Sequence, residues 1–149
     1  MTEVSSNANF NLRIKNPCID PAYVTIFELL DLPSQAYILQ DMKPDGLIWT
    51  HIPFTLSPDP IATSLCGPLT YTATFNGFEI NESSVPLRYD STMNQFGIFS
   101  NDFNMLGDHV YTLKASLEQY PDIESTEVSG LIQIQDPCPN PQSVTASKP

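Results

Sequence analysis

Basic side chains are scarce in this sequence, with six Lys and Arg against seventeen Asp and Glu and a net charge of −11. A surface of that sign repels polyanions, which excludes nucleic acid and anionic membranes as partners. Long apolar runs are absent as well, so no membrane-spanning helix is expected. The first fifteen residues, MTEVSSNANFNLRIK, lack the basic start and apolar centre of a secretory signal. If the chain is secreted, Met1 is therefore not its natural start. Histidine is limited to His51 and His109, and there is no Cys-x-x-Cys. The usual structural zinc set cannot be assembled from these residues, and no metal is expected. A Cys-His pair is formally available, but there is no nucleophile elbow, no Gly-rich phosphate loop and no carboxylate dyad in context. Neither catalysis nor a cofactor is expected. Asp41/Asp45 and Asp102/Asp108 come closest to a Ca²⁺ set of oxygen ligands, but solvated loops account for them better.

What is present points to strands. At 149 residues the chain is long enough for one domain with a continuous core. Hydrophobic residues make up 41% and charged residues only 15%, and there are fourteen prolines. Many fixed turns with abundant Ser, Thr and Asn suit short strands far better than long helices, so the class reads all-β.

The most informative feature is a repeat between the two ends. Residues 12–26 read LRIKNPCIDPAYVTI and residues 132–146 read IQIQDPCPNPQSVTA. At an offset of 120, Ile14, Pro17, Cys18, Pro21, Val24 and Thr25 recur as Ile134, Pro137, Cys138, Pro141, Val144 and Thr145. Each copy reads as an alternating strand, a Pro-fixed turn and the start of a further strand. Residues 18–137 then form one unit, 1–17 match the last strand of a preceding unit, and 138–149 open a following one. The alternative is a duplicated edge strand within one isolated domain; a tandem array explains better why the copies lie one domain length apart.

Between these ends, strand signals recur every ten to fifteen residues or so, a sandwich spacing of about seven or eight strands. Residues 22–30 read as a strand with helix as the rival, followed by a strand at 36–40. Pro53, Pro58 and Pro60 break the next stretch into extended or loop pieces. Residues 69–75 (LTYTATF) alternate cleanly and turn at Asn76-Gly77. Residues 85–89, 95–100, 109–117 and 128–135 complete the set. Tyr23, Val24, Ile26, Ile38, Trp49, Tyr71, Phe75, Ile98, Tyr111, Leu113, Ile132 and Ile134 are the expected core. Tyr111 sits just after the turn into the penultimate strand, where a tyrosine corner would bond backbone a few residues upstream; an ordinary half-buried strand Tyr is the alternative.

Cys66-Gly67, Tyr89-Asp90, the Gly-x-x-x-Tyr-x-Leu of residues 107–113 and the closing Asp136-Pro137-Cys138 resemble tandem immunoglobulin-like or cadherin-like repeats. Such repeats occur in very long surface and filament proteins, including those of ciliates and other single-celled eukaryotes. The resemblance covers most of residues 16–141. It implies an immunoglobulin-like, two-sheet antiparallel sandwich and an extracellular scaffold or adhesive fibre. No cadherin-type set of linker carboxylates is evident, so calcium-stiffened junctions are not implied.

Cys18, Cys66 and Cys138 are an odd count, which the repeat resolves. If Cys18 and Cys138 are equivalent, each unit holds two cysteines, and Cys66 bonds either Cys18 or Cys138. Closing such a loop contributes about 3 to 5 kcal/mol. Three reduced thiols in a cytosolic protein is the competing reading. Asn81-Glu82-Ser83 is a glycosylation sequon between two strand runs, so an N-linked glycan on Asn81 is a possible partner if the chain is secreted. The Ser- and Thr-rich faces also suit O-linked sugar.

Three functions fit these features. The first is a structural repeat of an extracellular filament or cell-surface array, with identical or homologous repeats as head-to-tail partners. The second is an adhesion module binding protein or sugar through loops that expose Trp49 or Phe103. The third is an accessory domain of a secreted or periplasmic enzyme. Fold alone does not choose among them.

Overall fold

The structure is a computed structural model that describes residues 11–27, 30–39, 46–51, 54–58 and 61–138. Its strands follow from alternation in the sequence. In β5 (Leu69–Phe75) Leu69, Tyr71, Ala73 and Phe75 form the inward face, while Thr70 and Thr72 are exposed and Thr74 is half-buried on the other. In β9 (Gly107–Leu117), Tyr111, Leu113, Ala115 and Leu117 all point inward. These two strands pair antiparallel from Leu69↔Leu117 to Phe75↔Tyr111 and form the centre of the larger sheet.

Around them the chain builds an all-β sandwich. The larger sheet has the order β2 (Gln35–Ile38), β11 (Val128–Gln135), β9, β5, β6 (Phe78–Ile80), and β10 (Tyr120–Glu124) also pairs with β9. The facing sheet is β3 (Leu47–Thr50), β8 (Gln95–Ile98), β7 (Leu87–Asp90). A two-stranded ribbon joins β1 (Thr25–Phe27) to β4 (Thr55–Ser57). The helix α1 (Ile61–Cys66) and two short 3-10 turns complete the described elements.

Strand positions A, B and G are each interrupted, which is why eleven segments fill the eight positions A, B, C, C′, D, E, F and G of an immunoglobulin-like sandwich. β1 and β2 share the first position, with the chain passing between sheets. β4 resumes after residues 51–54 where β3 stops. β10 and β11 are both laid along β9, with a register shift between Tyr120 and Glu124. Among the described strands every pairing is antiparallel except that of β2, which runs parallel to β11.

Aromatic rings bind the two sheets. Phe96 is fully buried and lies 4.7 Å from Tyr89, 5.0 Å from Tyr111 and 5.6 Å from Trp49, ring centroid to centroid. Tyr111 approaches this cluster edge-on from β9, a favoured quadrupole geometry. Its hydroxyl then crosses Gly130 of β11 and donates to the Pro33 carbonyl, 78 residues away. This corrects the tyrosine-corner expectation: Tyr111 tethers the segment before β2, not backbone a few residues upstream. A Cβ on Gly130 would sit 2.4 Å from the Tyr111 ring. Gly130→Ala is therefore expected to cost about 1 to 3 kcal/mol through overpacking. The check is a fall in the urea midpoint accompanied by a change in tyrosine fluorescence.

Several local expectations are revised. Tyr23 is 58% exposed because residues 21–23 form a turn, with the Tyr23 N–H on the Asp20 carbonyl, and β1 starts only at Thr25. Ile38 is 51% exposed because the inward phase of β2 belongs to Tyr37; a one-residue shift moves a side chain to the other face. Trp49 and Tyr71 are half-buried against the core, and the other expected core residues are buried. The stretch expected to be extended or loop pieces is followed by α1, whose Ala62 N–H bonds the Pro58 carbonyl. Among the described residues no helix is long and apolar enough to cross a membrane.

Candidate functional site

The repeated Asx-Pro-Cys segment makes the same side-chain bond at both ends, and the first copy continues into a 3-10 turn. In the first copy the Asn16 carboxamide oxygen accepts the Cys18 N–H at 3.0 Å. In the second the Asp136 carboxylate accepts the Cys138 N–H at 2.8 Å. Pro in the middle fixes φ and gives up a donor that the turn does not need.

The surroundings of the two copies differ. The first lies on the sandwich at the Leu117 end of β9, where the Asn16 amide donates to the Tyr120 hydroxyl at 3.0 Å. Cys18 is buried and disulfide-bonded to Cys66, the last residue of α1, closing 48 residues. Of the two pairings that the sequence allowed, the structure has Cys18 with Cys66. Cys138 carries a free, exposed thiol at the opposite end, just beyond the pairing of Ile134 with Gly107. The eleven residues of β9 separate the two ends by about 34 Å at the usual rise per strand residue.

Before the first turn, Leu12 and Ile14 are 79% and 86% exposed and belong to no strand. Their counterparts 120 residues later, Ile132 and Ile134, are 0% and 2% exposed in β11. The same alternating apolar pair is therefore core in one copy and solvated in the other. The remaining counterparts, Pro141, Val144 and Thr145, lie outside the described residues.

Other candidate residues are accounted for locally. Asp41 and Asp45 lie outside the described residues. Asp102 caps a 3-10 turn by accepting from the Asn104 backbone N–H, and Asp108 accepts from Gln133. His109 bridges the Asn76 amide and the Met105 carbonyl, which makes Nε2 the donor and Nδ1 the acceptor. His51 is buried with its ring nitrogen 3.1 Å from the Tyr89 hydroxyl. Among the described residues no three His, Cys, Asp or Glu side chains gather as a metal site. Trp49 packs in the aromatic cluster, whereas Phe103 is exposed in the loop between β8 and β9.

Asn81 lies exposed between β6 and β7, its side-chain oxygen accepting the Ser83 N–H at 2.9 Å and its carbonyl accepting the Tyr89 N–H at 3.0 Å. Sequence reasoning missed Tyr37, whose hydroxyl bonds both the N–H and the carbonyl of Ser100 and ties β2 to the loop after β8. Its position within a β-rich run was the only signal, and nothing in that run named the partner.

Burial raises three phenols. It lifts Tyr71, lifts Tyr89 well above its ordinary value with smaller contributions from Tyr71 and Asp90, and pushes Tyr111 up to about 12. The Trp49 indole N–H opposes the rise at Tyr111, though it makes no bond of ordinary geometry. A raised folded-state value means that the neutral form is favoured in the fold. The stability these groups contribute is therefore complete below the ordinary value of 10.0 and is lost as pH climbs above it, for Tyr111 as pH passes about 12. Titration of the tyrosinate ultraviolet band should show these three ionising late and together with unfolding; ionisation of all six tyrosines near pH 10 would contradict the packing.

No family model matches the sequence, and no curated protein matches it.

Proposed function

We propose that the chain is a structural repeat of an extracellular filament or cell-surface array, joined head to tail to identical or homologous repeats. The observation that carries this reading is the repeated junction. Asn16-Pro17-Cys18 and Asp136-Pro137-Cys138 make the same side-chain bond, at opposite ends of one sandwich and 120 residues apart. Superposing them in register makes residues 136–138 of one unit the residues 16–18 of the next. No linker then separates the units, Leu12 and Ile14 become inward residues of the preceding unit's last strand, and Cys138 becomes the partner of the following unit's Cys66 equivalent.

The two ends also carry apolar side chains suited to mutual burial. Ile19, Tyr23 and Leu65 are exposed around the disulfide, and Phe99, Phe103 and Leu106 are exposed at the other end. Covering such groups is favourable by roughly 25 cal/mol per Å². The Cys18–Cys66 disulfide supports an oxidising compartment and hence secretion or the cell surface. Catalysis plays no part in this reading.

A fusion tests the junction: residues 1–135 followed directly by residues 16–149. Small-angle scattering should show a straight two-unit rod with a repeat on the order of 40 Å, a strand length plus its end turns. Both Cys66 residues should be oxidised with their own Cys18. Removing residues 1–15 from the single chain should leave its sandwich and disulfide intact. Two freely reorienting domains in the fusion, or a second unit that fails to fold, would show this account of the junction to be wrong.

A further inference from the structure

The outer face of the β3–β8–β7 sheet carries a groove of about 240 Å³, lined by Ile48, Glu82, Arg88, Asp90, Gln95 and Gly97 together with Phe96. Ile48 and Arg88 are the cross-strand neighbours of Gly97, and because Gly97 has no side chain the Arg88 side chain folds over it, leaving Gly97 buried and the groove beside them. The Arg88 Nε lies 2.8 Å from where a Gly97 Cβ would be. Arg88 forms no ion pair with any described residue, although the protein has few cations and many carboxylates. Ile48 is half-exposed at the wall. The groove therefore offers an apolar strip, a guanidinium donor, two carboxylate acceptors and a carboxamide that does both. That is the chemistry that holds a pyranose ring, whose hydroxyls both donate and accept and whose C–H face is apolar. The volume falls below that of a pocket for a drug-sized molecule and suits a ring or two at most.

Asn81 adjoins this groove. Its backbone is bonded to Tyr89 in the edge strand β7, between the groove residues Arg88 and Asp90, and its neighbour Glu82 is itself part of the lining. We propose that Asn81 carries an N-linked glycan and that the first N-acetylhexosamine of this glycan seats in the groove against the Arg88 side chain that lies over Gly97, covering the outer face of the sheet. The inference rests on the extracellular reading above, because the modification needs a secretory route. In the transfer, the Asn81 amide nitrogen bonds to the anomeric carbon of a polyprenyl-diphosphate oligosaccharide. The carbon–oxygen bond to the diphosphate breaks with its electron pair, and the amide loses one proton to the transferase. Asn81 is exposed, and the bond its side-chain oxygen accepts from the Ser83 N–H leaves the amide nitrogen uncommitted.

The full chain, secreted from a eukaryotic host, tests this against Asn81→Gln and Gly97→Val, the latter pushing the Arg88 side chain off position 97 and into the groove while leaving the sequon intact. Expected are a hexosamine-bearing peptide at Asn81, shifts of the Ile48, Arg88 and Gly97 amide resonances relative to Asn81→Gln, and removal of the glycan from the native protein several-fold faster in Gly97→Val. An unmodified Asn81 in a chain whose Cys18–Cys66 bond has formed would overturn the glycan while leaving the extracellular reading in place. A modified Asn81 with unmoved groove resonances, or equal removal rates in the two proteins, would overturn the seating. Native protein recovered from the cytosol with reduced cysteines would overturn both readings.

Discussion

Loss of the Cys18–Cys66 bond is expected to lower stability by about 4 kcal/mol, the value the chain-entropy relation gives for a loop of this length. The bond joins the segment before β1 to the end of α1. α1 is six residues long, too short to persist on its own propensity. The turn at residues 17–19 is one 3-10 turn whose only buried side chain is Cys18. The Cys18→Ala/Cys66→Ala double variant avoids stray thiols and should show its loss in a urea midpoint. Cys138→Ala should change nothing in the single chain, because that thiol is free and exposed. A double variant within about 1 kcal/mol of the parent would mean that the sandwich alone holds the junction, and the array model would lose its clamp.

Phe96→Ala is expected to cost about 3 to 5 kcal/mol, a large share of the 5 to 15 kcal/mol available to a domain. Phe96 is fully buried on β8 and touches rings from both sheets: Trp49, His51 and Tyr89 on its own side and Tyr111 across the core. Truncation removes the ring that these four share, and the fixed Tyr111 hydroxyl bond prevents β9 from collapsing into the space. The near-ultraviolet circular dichroism of the aromatic cluster should weaken while the far-ultraviolet strand signal persists at low temperature. Phe96→Leu, which keeps most of the volume, should cost markedly less. Similar losses for Leu and Ala would show that the cluster is looser than its geometry states.

Legibility from sequence followed the strength of the period-two signal. The pattern of LTYTATF placed β5 and its inward face correctly, and Tyr111, Leu113, Ile132 and Ile134 fell where alternation put them. Tyr23 and Ile38 were misplaced because each lies in a short run next to a turn, where two phases fit equally well and only pairing selects one. α1 escaped notice because its six residues span too few turns to show a helical period. At the candidate site the repeated Asx-Pro-Cys segment was legible, since its bond is made within three residues. The groove beside Gly97 was not: its walls come from three strands that sequence alone does not align.

By itself the sequence determined what is local in cause: an all-β class, turns at Pro and Asn-Gly, the inward faces of long alternating strands, a net negative surface and an Asx-Pro-Cys segment that recurs after 120 residues. Each of these depends on neighbours a few positions apart or on composition. Only the tertiary structure decided what depends on closure of the chain across long distances: Cys66 with Cys18 and not Cys138, Tyr111 with Pro33, β2 parallel to β11, and Arg88 folded over Gly97 of the neighbouring strand. The physical reason is that one strand can satisfy its backbone bonds with many partners, and the choice among them is made when the two apolar faces close on each other and exclude every register but one.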